Sequence, residues 1–66
     1  MPVRPDAIRE AREKRGLTQQ QAADAAGIAR SHWALLETGR RPDPQLSSVE
    51  AIARALGVAV AAIITE

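Results

Sequence analysis

The chain has 66 residues, a formal net charge of +1 and no Cys, so we expect one domain over residues 1–66 without a disulfide framework or a thiolate metal site. A single His and a single aromatic residue provide neither a set of metal ligands nor a nucleophile paired with a base, which argues against an enzyme, a metal centre, a cofactor or an enclosed small-molecule pocket. No apolar run approaches the roughly 18 residues that a membrane span requires, and no secretory signal is visible, so we expect a cytoplasmic protein.

Basic residues are concentrated in the first two-thirds of the chain. Residues 4–15 and residues 30–41 each sum to +2, whereas the remaining residues sum to −3. Such asymmetry is typical of a protein with one face for a polyanion and another for packing, although ordinary solvated helices produce it as well.

Glycines and prolines divide the chain into five short helical segments. The first begins at Pro5 or Asp6 and ends before Gly16, because Pro is favoured at the first helical position and Gly just past the last one. The second covers residues 19–26, and Thr18 with the Gln three residues later predicts a capping box at its start.

Gly and Pro residues also bound the remaining segments. A third helix runs from about residue 30 to Thr38 and is closed by Gly39, and a Pro-rich loop follows it. A fourth helix begins near residue 45 and ends at Gly57, and a short fifth segment covers residues 58–64. Apolar residues recur in the fourth helix at a spacing of three or four, at Leu46, Val49, Ile52, Ala53 and Leu56. We predict no pair of strands.

The second and third helices have the proportions of a helix-turn-helix. Gly27 allows the left-handed backbone that the turn needs, Ala23 is small enough for the two helices to cross closely, and Ile28 can fill the space beneath the turn. The same spacing occurs in bundles that do not bind DNA, so it predicts geometry rather than function.

Several further residues stand in the order and spacing of one family across roughly residues 6–64. They are Gly16-Leu17-Thr18-Gln19, Ala23, Gly27-Ile28, Trp33, Leu36-Glu37-Thr38-Gly39, Pro44, Leu46 and Ile52–Val58. In these residues the sequence resembles the Cro/phage-repressor (XRE-like) helix-turn-helix family. The resemblance implies an all-α, compact five-helix, lambda-repressor-like DNA-binding domain from a bacterium or phage, associated with the nucleoid, whose third helix enters the major groove.

The resemblance also implies which side chains face the bases. They are Arg30, Ser31 and His32, near the start of the third helix. Arg30 can pair bidentately with guanine O6 and N7, and Ser31 can bond a base or a phosphate. The alternatives are a phosphate contact or a solvated side chain for Arg30, a plain surface serine, and an exposed neutral imidazole for His32.

Phosphate contacts are implied at the start of the second helix and after the third. The residues are Thr18, Gln19, Gln20, Thr38, Arg40 and Arg41. Free N–H groups at helix N-termini bind anions. For Thr38, Arg40 and Arg41 the alternative is an ordinary polar loop. The family further implies that Arg12 and Glu37 form a semi-buried structural ion pair, with two separate surface charges as the alternative.

The sequence departs from the family pattern at helix starts and in the core. The N-cap positions of helices three to five hold Ala29, Gln45 and Ala59, where a Ser, Thr or similar capping side chain is usual in the family. Trp33 occupies a core position usually held by an aliphatic residue, while Ala22 stands where a large one is usual. We interpret the indole as filling the volume that Ala22 leaves, with stacking on a base as the alternative.

The last segment carries more apolar surface than one small core requires. We interpret the surplus as a homodimer interface formed by Val60, Ile63 and Ile64, with a frayed end or a longer protein as alternatives. The leading hypothesis is therefore a transcriptional repressor that binds a palindromic operator in double-stranded DNA as a homodimer and needs no cofactor, small-molecule ligand or membrane. The alternative is a protein-interaction module, such as an antitoxin or an adaptor, that uses the apolar C-terminal face.

Overall fold

The computed structural model describes residues 1–40 and 43–65. It contains four α-helices and one 3-10 turn in the order α1 (Pro5–Lys14), α2 (Gln19–Ala26), α3 (Arg30–Thr38), α4 (Leu46–Leu56) and Val60–Ala62. The all-α prediction is confirmed, but the count of five helices is wrong because the last segment forms only the 3-10 turn. In this part of the chain no helix has the length and apolar character that a bilayer crossing requires.

The last segment cannot continue as a helix because it pairs with the start of the chain. Val3 and Ile64 form an isolated antiparallel bridge, and the backbone N–H of Arg4 donates to the carbonyl of Ile63 at 2.7 Å. Val3 and Ile63 are 4% and 1% exposed, so burial of both side chains holds the two chain segments together. The bridge is isolated and the described residues form no strand, so the prediction that no pair of strands forms is confirmed.

One apolar core holds the four helices together. Its members are Val3, Ile8, Ala22, Ala23, Ala26, Trp33, Leu36, Val49, Ile52, Ala53, Leu56 and Ile63. Trp33 is the largest of the fully buried side chains, and Ala22 is fully buried in the same core. This agrees with the interpretation that the indole fills the volume that Ala22 leaves. Because the indole has no exposed surface, the alternative of stacking on a base does not apply to this conformation.

Leu46 corrects the prediction for α4. The spacing placed it in the buried stripe, yet its side chain is 51% exposed because it is the first residue of the helix. The stripe that packs inward consists of Val49, Ile52, Ala53 and Leu56.

Helix ends follow the sequence closely. Thr18 Oγ1 accepts the backbone N–H of Gln21 at 3.1 Å, and Gln21 Oε1 accepts that of Thr18 at 2.9 Å, which completes the capping box. Gly27 has a positive φ of 73° at the end of α2, a backbone conformation that Gly adopts at little cost. No side-chain cap forms at Ala29, Gln45 and Ala59, as the sequence predicts, nor at Arg4 before α1, so no N-cap side chain accepts the free N–H groups of these four N-termini.

The missing cap at Gln45 predicts a stabilising substitution. Gln45 is exposed, and its φ of −66° and ψ of 154° already match an N-cap conformation. We expect Gln45→Asp to raise the free energy of unfolding by about 1 kcal/mol, because its carboxylate can accept a free N–H group of α4. Urea unfolding followed by circular dichroism measures the change, and Gln45→Ala serves as the control that removes the amide without adding a cap. Equal stability of the two variants would contradict the prediction.

Candidate nucleic-acid interface

Helix α3 separates a buried face from an accessible one. Trp33 and Leu36 are fully buried, whereas Arg30 and Ser31 in the first turn are exposed. Neither of these two polar side chains hydrogen-bonds another residue in the described ranges, so both are accessible to a partner. The structure therefore leaves the guanidinium and the hydroxyl accessible at the start of the helix, where the family resemblance implies base contacts.

His32 is placed differently from the other two predicted base contacts. Its side chain is half-buried, and its Nε2 is enclosed without a hydrogen-bond partner in the described structure. The reason is helical geometry, because position 32 lies at the edge of the buried stripe, four residues before Leu36. The structure thus corrects the picture of an exposed imidazole, and a base contact through Nε2 would require the ring to move.

The residues expected to contact phosphates have different surroundings. Thr18 accepts a hydrogen bond within the capping box, and the amide of Gln20 donates to the Asp24 carboxylate at 2.8 Å. The Thr38 hydroxyl donates to the carbonyl of Leu35 at 3.0 Å. Arg40 is exposed, and Arg41 lies outside the described residues.

The structure brings Arg12 and Glu37 together in a bidentate ion pair. Arg12 Nε donates to Glu37 Oε2 at 2.6 Å, and Arg12 Nη2 donates to Glu37 Oε1 at 3.1 Å. The two side chains are 14% and 5% exposed. Arg12 Nη1 also donates to the carbonyl of Leu17 at 2.8 Å. The pair therefore joins α1, the α1–α2 loop and the end of α3.

Two further donors reach the same carboxylate. The Trp33 indole Nε1 donates to Glu37 Oε2 at 2.5 Å, and the amide Nε2 of Gln19 donates to Glu37 Oε1 at 3.2 Å. Burial raises the pKa of Glu37, but the hydrogen bonds from Arg12, Trp33 and Gln19, with the attraction of the Arg12 charge, outweigh burial and hold that pKa below its ordinary value. Glu37 is therefore a buried anion at neutral pH.

Sequence reasoning missed both of these donors. The spacing of Trp33 and Glu37 is one helical turn, i to i+4, so this contact had a signal in the sequence. Gln19 and Glu37 lie on different helices and are 18 residues apart in the sequence, so no local pattern predicts their contact.

The predicted dimer residues separate into two groups. Val60 and Ile64 are half-buried and pack against the edge of the core, whereas Ile63 is 1% exposed. Ile63 faces the interior of its own subunit because the pairing with the N-terminal segment turns it inward. The structure corrects the interface prediction for Ile63 and leaves Val60 and Ile64 accessible in part.

Comparison with known proteins agrees with this geometry. Residues 6–63 match a family of helix-turn-helix domains. The chain is 46% identical over 59 residues to an immunity repressor protein of Bacillus phage phi105, covering 89% of this chain and 40% of the relative. It is 46% identical over 50 residues to an uncharacterized HTH-type transcriptional regulator of Methanothermobacter thermautotrophicus, covering 76% of this chain and 71% of the relative.

Solved structures share the fold over most of the chain. The restriction-modification controller protein C.AhdI from Aeromonas hydrophila superposes with a TM-score of 0.83 at 29% identity, over 88% of this chain and 86% of the other. The clp gene regulator ClgR from C. glutamicum gives a TM-score of 0.77 at 28% identity, over 86% and 73%. The names of these proteins are those of a repressor, of regulators and of a controller protein, and none of them names an enzyme.

Proposed function

The chain belongs to the helix-turn-helix family of Cro and XRE-like regulators, and from this we propose that it binds double-stranded DNA and regulates transcription, with α3 in the major groove. The observation that carries the proposal is the accessible first turn of α3, where Arg30 and Ser31 have no partner among the described residues. Their helix is fixed on its other side by the buried Trp33 and by Glu37.

We further propose that two copies bind one palindromic operator. Val60 and Ile64 supply partly exposed apolar surface near the end of the chain, and a two-fold pair would set the recognition helices about 34 Å apart, the repeat of one DNA turn. Occupation of an operator that overlaps a promoter then represses transcription without a cofactor. The adaptor alternative is less well supported, because it gives no role to the accessible Arg30 and Ser31. The burial of Ile63 in its own subunit reduces the apolar face for both hypotheses alike.

DNA binding is tested by fluorescence anisotropy with a duplex across a salt series. We expect the logarithm of affinity to fall with the logarithm of salt concentration with a slope near −4 or steeper, since each neutralised phosphate contributes about −0.9. On a site selected from random sequence, Arg30→Ala should cost roughly 1–3 kcal/mol, whereas on random duplex it should change affinity little. The saturation point of the same titration gives the number of chains per duplex.

Arg54→Ala is the matched control, because Arg54 is an exposed arginine on α4 that lines a surface groove with the C-terminal end of α2 and not with the first turn of α3. It removes the same charge and should leave the preference for the selected site unchanged. An equal loss for both variants would show that Arg30 acts only through its charge. Absence of salt-dependent binding would overturn DNA binding itself.

A further inference from the structure

The carboxylate of Glu37 is the point at which three helices meet. It accepts hydrogen bonds from Arg12 of α1, from Gln19 at the first position of α2, and from Trp33 of α3. The Glu37 side chain is 5% exposed, and donors from two other helices and from its own helix fix both of its oxygens. It is therefore a rigid acceptor rather than a mobile surface charge.

A rigid carboxylate determines the orientation of the amide that faces it. The amide of Gln19 has two N–H donors and one carbonyl acceptor, while an ionised carboxylate only accepts. A reversed amide would place its carbonyl against the charge of Glu37, so the NH2 end must lie toward Glu37 Oε1, 3.2 Å away. One N–H is used in this contact, and the second has no acceptor among the residues that the structure describes.

The remaining N–H lies at the start of a helix. Gln19 is the first residue of α2, and the first N–H groups of an α-helix have no partner within the helix. The capping box satisfies the backbone N–H of Gln21, and the positive end of the helix dipole favours an anion at this position.

We propose that Glu37 is a positioning residue for DNA binding, because its carboxylate holds the Gln19 amide in the orientation that directs its second N–H to a backbone phosphate. The proposal rests on the proposed function and adds a role for a residue that does not touch DNA. Arg12 and Trp33 act in the same chain of contacts by fixing Glu37.

Nuclear magnetic resonance tests the contact in the free, unmodified protein. The chain has four Gln, no Asn and one Trp, so its side-chain spectrum contains four amide pairs and one indole N–H. Below pH 4.5 the Gln19 pair and the Trp33 indole should shift together with the Glu37 carboxyl carbon, with one common midpoint. The charged groups facing the site are Arg12 on α1 and, next to it, Glu13, and Gln45 serves as the unaffected amide.

Addition of duplex DNA at neutral pH tests the second half of the proposal. The Gln19 amide pair should shift, and Gln19→Ala should weaken binding about tenfold for every sequence with an unchanged salt slope, because a hydrogen bond but no charge is lost. Gln45→Ala is the control amide deletion. If the wild-type chain binds DNA while the Gln19 pair stays unmoved, or if that pair does not follow Glu37, the positioning role is overturned. If the wild-type chain does not bind, the proposed function fails with it.

Discussion

Replacing Trp33 with alanine is expected to lower the free energy of unfolding by about 3–5 kcal/mol. The indole is the largest of the fully buried side chains, and its N–H donates to Glu37 at 2.5 Å. Its removal leaves a cavity in a core that contains small neighbours such as Ala22 and Ala23, and these cannot expand into the space. A domain of this size has a total stability of only about 3–10 kcal/mol, so the expected loss is a large fraction of the total.

Urea unfolding followed by circular dichroism measures this loss, because the variant has no Trp to follow by fluorescence. Trp33→Phe retains an aromatic ring in the core but loses the donor to Glu37, so its expected cost is smaller, about 1–3 kcal/mol. Leu46→Ala is the control for removal of a large side chain, since Leu46 is 51% exposed and its loss should stay within about 0.5 kcal/mol. A loss below 1 kcal/mol for Trp33→Ala would contradict the fully buried position of the indole.

Most helix boundaries could be predicted because local chemistry determines them. The capping box at Thr18 and the glycine at position 27 act within one turn of chain, and both form as the sequence indicates. The buried stripe of α4 also followed from spacing alone, apart from its first residue, Leu46. A periodic pattern states which face is apolar but not how far along the helix the neighbouring elements extend.

The contacts that join distant parts of the chain were harder to predict. The pairing of Val3 with Ile64 depends on where the two ends lie after the helices have packed, and this pairing turns Ile63 inward. The enclosed Nε2 of His32 likewise depends on neighbours that position in the sequence does not reveal. The ion pair of Arg12 and Glu37 was expected only through the family resemblance, since 25 residues separate the two partners.

Removing Arg12 should be nearly as costly as removing the indole. In Arg12→Met the carboxylate of Glu37 stays buried after its charged partner is lost, and an uncompensated charge of this kind costs about 3–5 kcal/mol. The double variant Arg12→Met with Glu37→Gln removes both charges, so it should recover part of the loss. Urea unfolding of the wild type, both single variants and the double variant gives the coupling between the two residues. Additive losses would show that the pair contributes nothing beyond two separate side chains.

The stability of the wild type and that of Arg12→Met should depend on pH in opposite directions. In the wild type the pKa of Glu37 is lowered from 4.5 in the folded state, so its contribution to stability is complete above pH 4.5 and is lost as the pH falls through the folded value. Without Arg12, burial becomes dominant and raises the pKa of Glu37 above that of the unfolded chain. The variant then loses stability as the pH rises from 4 to 7, because the folded state must give up a proton that it holds more tightly than the unfolded chain does. The stability gap between wild type and Arg12→Met should therefore narrow as the pH is lowered from 7 to 4, and a gap that stays constant would mean that Glu37 is not a buried anion.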